Sequence, residues 1–245
     1  MARLGSSGAV VILCPFPAQA AATEAAGWLR ANSDAAASAP VTWITTPDGL
    51  ERLRDVWDAA PTTTGLPGVA VSLEPEFLAT KTSLRAALRQ ARTAWPDLTA
   101  AVLRAGGGTP HRDVLVQEGI TTLCVDAFDE PARGSRRPAP QGWPCRSILW
   151  GLWEVAAAPA RRVGLVRRVA GWCTGSRNNR GGLVILDADS GSGMAVARAR
   201  LERHRAWARR RIQAGTVEGA TLADLPRLIA GGNATSSPGS ILRAA

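Results

Sequence analysis

The sequence predicts an α/β protein with one largely parallel sheet, and three observations carry that prediction. Short apolar runs alternate with longer segments of helical spacing along nearly the whole chain. The runs are apolar at almost every position, as strands are when both faces of a sheet are covered. No stretch between residues 8 and 230 reads as a linker, and 245 residues that are 46% hydrophobic suffice for one large core. A (β/α) barrel and a doubly wound sheet both satisfy these observations. Either one places a ligand site at the carboxyl ends of the strands.

The elements follow in order. Ala9–Cys14 (AVVILC) is a β-branched apolar run between Gly8 and Pro15, predicted as the first strand, and Ala18–Ala31 is Ala-rich and helical in pattern. Val41–Thr45 is a short strand, and Asp48–Ala59 has helical spacing through Leu50, Leu53, Val56 and Trp57. Gly68–Leu73 is a strand; Glu76–Ala94 is a long helix ended by Pro96. Leu98–Leu103 is a strand, Arg112–Gly119 a short helix with a glycine stop, and Ile120–Val125 a strand. After a long loop come a strand at Ile148–Val155, a helix at Val163–Cys173 and a strand at Leu183–Leu186. Met194–Gln213 is a long basic helix, Leu222–Ile229 a short final one, and residues 231–245 a flexible tail.

The first apolar run has a second reading. Arg3 precedes it, and Ala18-Gln19-Ala20 has the small-x-small form of a secretory cleavage site. The run is short, however, and closes on Cys14-Pro15-Phe16-Pro17, so a buried strand in a cytoplasmic protein is the preferred reading. No run reaches the length of a membrane span.

Charge is unevenly spread. Residues 1–131 carry 10 basic and 14 acidic side chains, whereas residues 132–245 carry 19 and 6. A half this basic could meet an anionic polymer, although a solvated arginine face is the preferred explanation. Only Trp207 accompanies the arginines of 198–211, so nucleic acid is not the expected partner. Cys14, Cys124, Cys145 and Cys173 form no CxxC pair, which argues against structural zinc, and they read as buried thiols.

Candidate site residues are the polar groups just past the apolar runs: Thr45 and Thr46, Glu74, Arg104, Asp126, Glu154, and Asp187 with Asp189. Asp126, Glu154 and Asp187 are the catalytic candidates. Arg104, Glu74, Trp143 and Trp150 are the substrate-binding ones, the tryptophans because an indole at a barrel mouth stacks on a sugar ring. Alternation along Ile148–Val155 puts Trp150 and Glu154 on one strand face and Leu149, Gly151 and Trp153 on the other.

The order and spacing of elements over roughly residues 8–230 resemble the polysaccharide deacetylase (NodB-homology) family. So does the closing stretch LVILDADSGSGMAVARARLERHRAWARRRIQAGTVEGATLADLPRLI, with Thr221-Leu222-Ala223-Asp224-Leu225 similar to the family's Thr-Leu-x-(Asp/Glu)-Leu segment. PHRDVLVQEGITTLCVD is similar to the family's helix leading through a glycine into the next strand. The resemblance implies a distorted (β/α)7 barrel of the glycoside hydrolase/deacetylase type, acting on acetylated sugars through a divalent metal.

The family's metal ligands have no counterpart in this chain. Its Asp pair would follow the first strand, where Cys14-Pro15-Phe16-Pro17 stands. Its His-x-x-x-His would follow the third strand, where Leu73-Glu74-Pro75-Glu76-Phe77-Leu78 stands, and its late His would end the last strand, where Leu186-Asp187 stands. The two histidines, His111 and His204, are 93 positions apart. Arg104 is similar in place to the Arg of the family's Arg-x-Pro-x-Gly, but Arg-Ala-Gly-Gly-Gly lacks the proline.

The expectation is therefore a degenerate member with a carbohydrate-binding or regulatory role, holding no metal and no cofactor. An alternative is a hydrolase using strand-end carboxylates in place of the metal. A second is a binder of anionic polymers through the Arg-rich half. Ser190-Gly191-Ser192-Gly193 fails as a dinucleotide fingerprint because Val196 occupies the third glycine position; it reads as a helix cap. His204 reads as a packed or rim residue of the basic helix, and His111 as a helix-start residue.

Overall fold

The structure is a computed structural model that describes residues 8–18, 20–33, 40–59, 68–103, 111–125, 145–149, 151–156, 183–188 and 194–233. The predicted helix Val163–Cys173 and residues 234–245 of the expected tail lie outside them, as do Ser190–Gly193, Asp189, Arg104, Asp126, Trp143 and Trp150.

The strands are β1 (Gly8–Pro15), β2 (Val41–Thr45), β3 (Gly68–Leu73), β4 (Ala100–Leu103), β5 (Thr122–Val125), β6 (Cys145–Leu149), β7 (Leu152–Ala156), β8 (Leu183–Asp187) and β9 (Val217–Ala220). The helices are α1 (Ala22–Ser33), α2 (Pro47–Asp58), α3 (Pro75–Leu78), α4 (Lys81–Ala94), α5 (Arg112–Gln117), α6 (Met194–Gln213) and α7 (Leu225–Asn233). Each amphipathic helix buries the stripe its spacing marks. In α4 this is Leu84, Ala87, Leu88 and Ala91; in α2 it is Leu50, Leu53, Val56 and Trp57. Each leucine so buried contributes about 1.5–3 kcal/mol.

Pairing among the described residues follows the path β6-β7-β5-β4-β3-β2-β1-β8 in one curled sheet. All pairs are parallel except β6 with β7. β1 lies deepest. β8 runs beside Ala9–Leu13 on one edge, and the other edge is shared, β9 against Gly8–Val11 and β2 against Ile12–Pro15.

The two sheet faces are covered differently. Val10, Ile12, Trp43, Val71, Leu103 and Leu123 share one apolar cluster with buried residues of α1, α2, α4, α5 and α6. The opposite face (Val11, Leu13, Ile44, Val102, Cys124, Val155) packs with Leu222, Leu225 and Ile229. Helices from α1 to α6 thus lie on a single face. Among the described residues only α7 packs on the other face, and a curled parallel sheet covered in this way is compatible with an α/β barrel.

The structure corrects the predicted elements at three places. The single strand Ile148–Val155 is a hairpin, β6 and β7, with Gly151 at φ +94°, a conformation open to glycine but strained for other residues. The long helix Glu76–Ala94 is two helices, because Thr80 opens a new amino terminus. Ser83 N–H donates to Thr80 Oγ1 at 3.0 Å, and Thr80 N–H donates to Ser83 Oγ at 3.1 Å. Finally, β9 pairs with β1 although Val217-Glu218-Gly219-Ala220 has little strand signature.

The last segment seals the amino ends of the strands. Thr221 and Asp224 form a capping box, with Thr221 Oγ1 2.7 Å from Asp224 Oδ2, while Leu222 and Leu225 are fully buried. Leu222 N–H donates to Thr42 Oγ1 at 3.0 Å. A Cβ on Gly68 would lie 2.5 Å from Thr221 Cγ2, so the first position of β3 needs glycine for this close approach.

Candidate functional site

A cleft of about 560 Å³ lies over the carboxyl ends of β1, β2 and β3. Pro15 ends β1, and Phe16, Pro17 and Ala18 follow it; Thr45 ends β2 and Thr46 follows; Ser72 is the penultimate residue of β3 and Glu74 follows that strand; Met194 opens α6. The walls are mostly apolar and the polar groups few, the usual make-up of a small-molecule site.

Local sequence explains how each polar group is placed. Ser72 and Glu74 are two residues apart in extended backbone and share a face, where Ser72 Oγ donates to Glu74 Oε1 at 3.1 Å. Glu74 then caps α3, with Pro75 at its first position. Thr45 is buried beneath α2, where a Cβ on Gly49 would come within 2.0 Å of its Oγ1; only glycine leaves room for it. Thr46 caps α2 by backbone alone, which leaves its exposed hydroxyl unused as a cap. At the rim Arg52 donates from Nη2 to the carbonyl of Ala20.

Of the other candidates within the described residues, neither shares this cleft. Asp187 ends β8 on the same sheet face as Ser72, but register separates it from Glu74. Asp187 stands opposite Leu13, Leu13 opposite Thr42, and Thr42 opposite Gly68, six positions before Glu74. At about 3.3 Å per residue that is about 20 Å along the strands, with three strand spacings across them. The carboxyl pairs of glycosidases stand within about 10 Å of each other. Glu154 lies within β7, not past its end, and alternates with Trp153 and Val155, so it points to the helix-covered face.

There Glu154 is 2% exposed. Arg146, its partner across the hairpin, donates from Nε to Oε2, and Arg112 at the start of α5 brings Nη2 to 3.6 Å from Oε1. Removing water from a carboxylate costs several kcal/mol unless charges replace it, and two guanidiniums do so here. The arrangement ties α5 to the β6–β7 hairpin.

The remaining reactive groups also serve packing. His204 Nε2 lies 3.2 Å from the carbonyl of Asp187, joining α6 to β8, and burial pulls its pKa below the ordinary value of 6.5. His111 caps α5 with φ at 60°, the left-handed region that non-glycine residues seldom enter. Cys14, Cys124 and Cys145 are buried thiols, and desolvation pushes the Cys145 thiol up to about 11, which keeps it protonated and unreactive near neutrality. On α6, Ala197, Leu201 and Ala208 face the core and Arg198, Arg203, Arg209 and Arg210 face solvent, while Arg198 lies over the Trp28 ring and Arg211 over that of Trp207. Among the described residues, no three His, Cys, Asp or Glu side chains gather as metal ligands, and no helix is long and apolar enough to cross a membrane.

Strand-end reasoning thus reached Thr45, Thr46 and Glu74, and overlooked Phe16, Ser72 and Met194 as cleft-lining residues. Ser72 carried a signal, as the one polar residue in the run GVAVSL. Met194 carried none, because only the fold brings the start of α6 to the ends of β1–β3. Comparison with family models, with curated proteins and with solved structures returns no match.

Proposed function

We propose that this chain is a polysaccharide-deacetylase-like barrel that binds carbohydrate in the cleft over β1–β3 and does not carry out metal-assisted deacetylation. One observation supports this above all. The stretches after the first and third strands, where the resemblance would put the metal ligands, line a single cleft as Pro15-Phe16-Pro17 and Glu74. On this reading the place of such a site is kept while its ligand types are replaced.

Metal-assisted hydrolysis needs a bound water of lowered pKa beside a base. These stretches supply prolines, an aromatic ring and one carboxylate, and His204 is engaged between α6 and β8. They remain suited to a sugar, with the hydroxyls of Thr46 and Ser72 and the Glu74 carboxylate for its hydroxyls and Phe16, Ile44 and Met194 for its C–H faces.

The test is calorimetric titration of the purified chain with chito-oligomers, alongside an acetate-release assay with divalent metal added. Binding without acetate release is the expected result. Released acetate overturns the non-catalytic half of the reading, and absence of binding overturns the carbohydrate half.

A further inference from the structure

Resting on the carbohydrate reading, we infer that the sugar this cleft selects carries a protonated amine, held by Glu74. Three features of the cleft carry the inference. Glu74 is the one charged side chain that lines it among the described residues. Its carboxylate takes a single side-chain hydrogen bond, from the neutral Ser72 hydroxyl at 3.1 Å, and enters no ion pair among those residues. Arg52, the cation at the rim, is directed to the carbonyl of Ala20.

The described cleft therefore keeps one half-buried negative charge without a counter-ion, in a chain with 28 arginines. Where this protein sets a carboxylate in a purely structural place, at Glu154, it supplies two guanidiniums. A neutral acetylated sugar would use Glu74 only as a hydrogen-bond acceptor. An ammonium adds opposite charge to the same contact, and charge-assisted hydrogen bonds are about twice as strong as neutral ones. Ser72 holds the carboxylate from behind and acts as a positioning residue. With Glu74 half-exposed, solvent screening limits the gain to about two- to fivefold in affinity.

Calorimetry with length-matched oligomers of glucosamine, N-acetylglucosamine and glucose tests this on the intact chain and on Glu74→Gln, with the thermal midpoint of the variant recorded as a fold check. The expected result is that the glucosamine oligomer binds the parent chain about two- to fivefold tighter than the other two, and that Glu74→Gln removes the difference. Equal binding of all three overturns the amine inference and leaves carbohydrate binding standing. If no oligomer binds, both readings fall. A preference that survives in Glu74→Gln takes the role away from Glu74, and a simple polyamine that binds as tightly as the glucosamine oligomer removes the sugar from the description.

Discussion

Glu154 and Glu74 belong to the same curled sheet and differ in almost everything that decides what a carboxylate can do. Glu154 sits inside a strand, points under the helices, and is enclosed by Arg146 and Arg112. Glu74 sits one residue past a strand, at the edge of a cleft, with one neutral hydrogen bond from Ser72. A buried carboxylate must be compensated from within the fold, which consumes its capacity to accept further partners. A carboxylate at a wet strand end is solvated instead, and Glu74 lines the cleft where a partner can reach it. Charge compensation, rather than residue type or strand association, separates the structural acid from the candidate site acid.

The sharpest way to break this comparison is to remove both acids in turn. Glu154→Ala removes the carboxylate that Arg146 and Arg112 share and should lower stability by about 3–5 kcal/mol. The same change at Glu74 should cost less than about 0.5 kcal/mol, as for a surface substitution. Urea denaturation midpoints measure both; similar losses at the two positions would erase the distinction.

Gly49→Ala is expected to act at the cleft by sterics alone. Alanine improves helix propensity by about 1 kcal/mol, but its Cβ would sit 2.0 Å from Thr45 Oγ1, and overpacking costs about 1–3 kcal/mol. A net loss of about 1 kcal/mol should appear in Gly49→Ala and disappear in the Gly49→Ala, Thr45→Ala double variant. A loss that persists there would place its cause outside this contact.

The smallest effect concerns His204. Burial favours its neutral form, so its pKa in the folded chain lies below the ordinary 6.5. The unfolded chain then binds the extra proton first, and stability present above about pH 6.5 is lost as the pH falls toward the folded value. The stability difference between the parent chain and His204→Gln should therefore be flat above that pH and shrink below it. A difference that stays constant between pH 5 and 8 would remove His204 from the pH response.

Much of the fold was legible because sheet and helix periodicities are local properties. GAVVILCP, VTWIT and GVAVSL are largely apolar, and they became β1, β2 and β3 with both faces buried. α6 begins and ends where its pattern does, at Met194 and Gln213. The hairpin at Gly151 was hidden for the same reason. An apolar run interrupted by one glycine reads as a continuous strand, and only the pairing of β6 back onto β7 shows the reversal. β9 was hidden because β1 supplies what its own four residues lack.

For the site, the sequence by itself determined which residue types stand at the strand ends and that two histidines 93 positions apart cannot make a His-x-x-x-His ligand pair. It placed Glu74, Glu154 and Asp187 together as strand-end candidates, Glu74 for binding and the other two for catalysis. Tertiary structure alone ranked them, because strand register and strand face are set by pairing between distant segments. Register lowers Asp187 to the level of Gly68, side-chain alternation turns Glu154 under α5, and Glu74 is left at the open end beside Thr45, Ser72 and Met194.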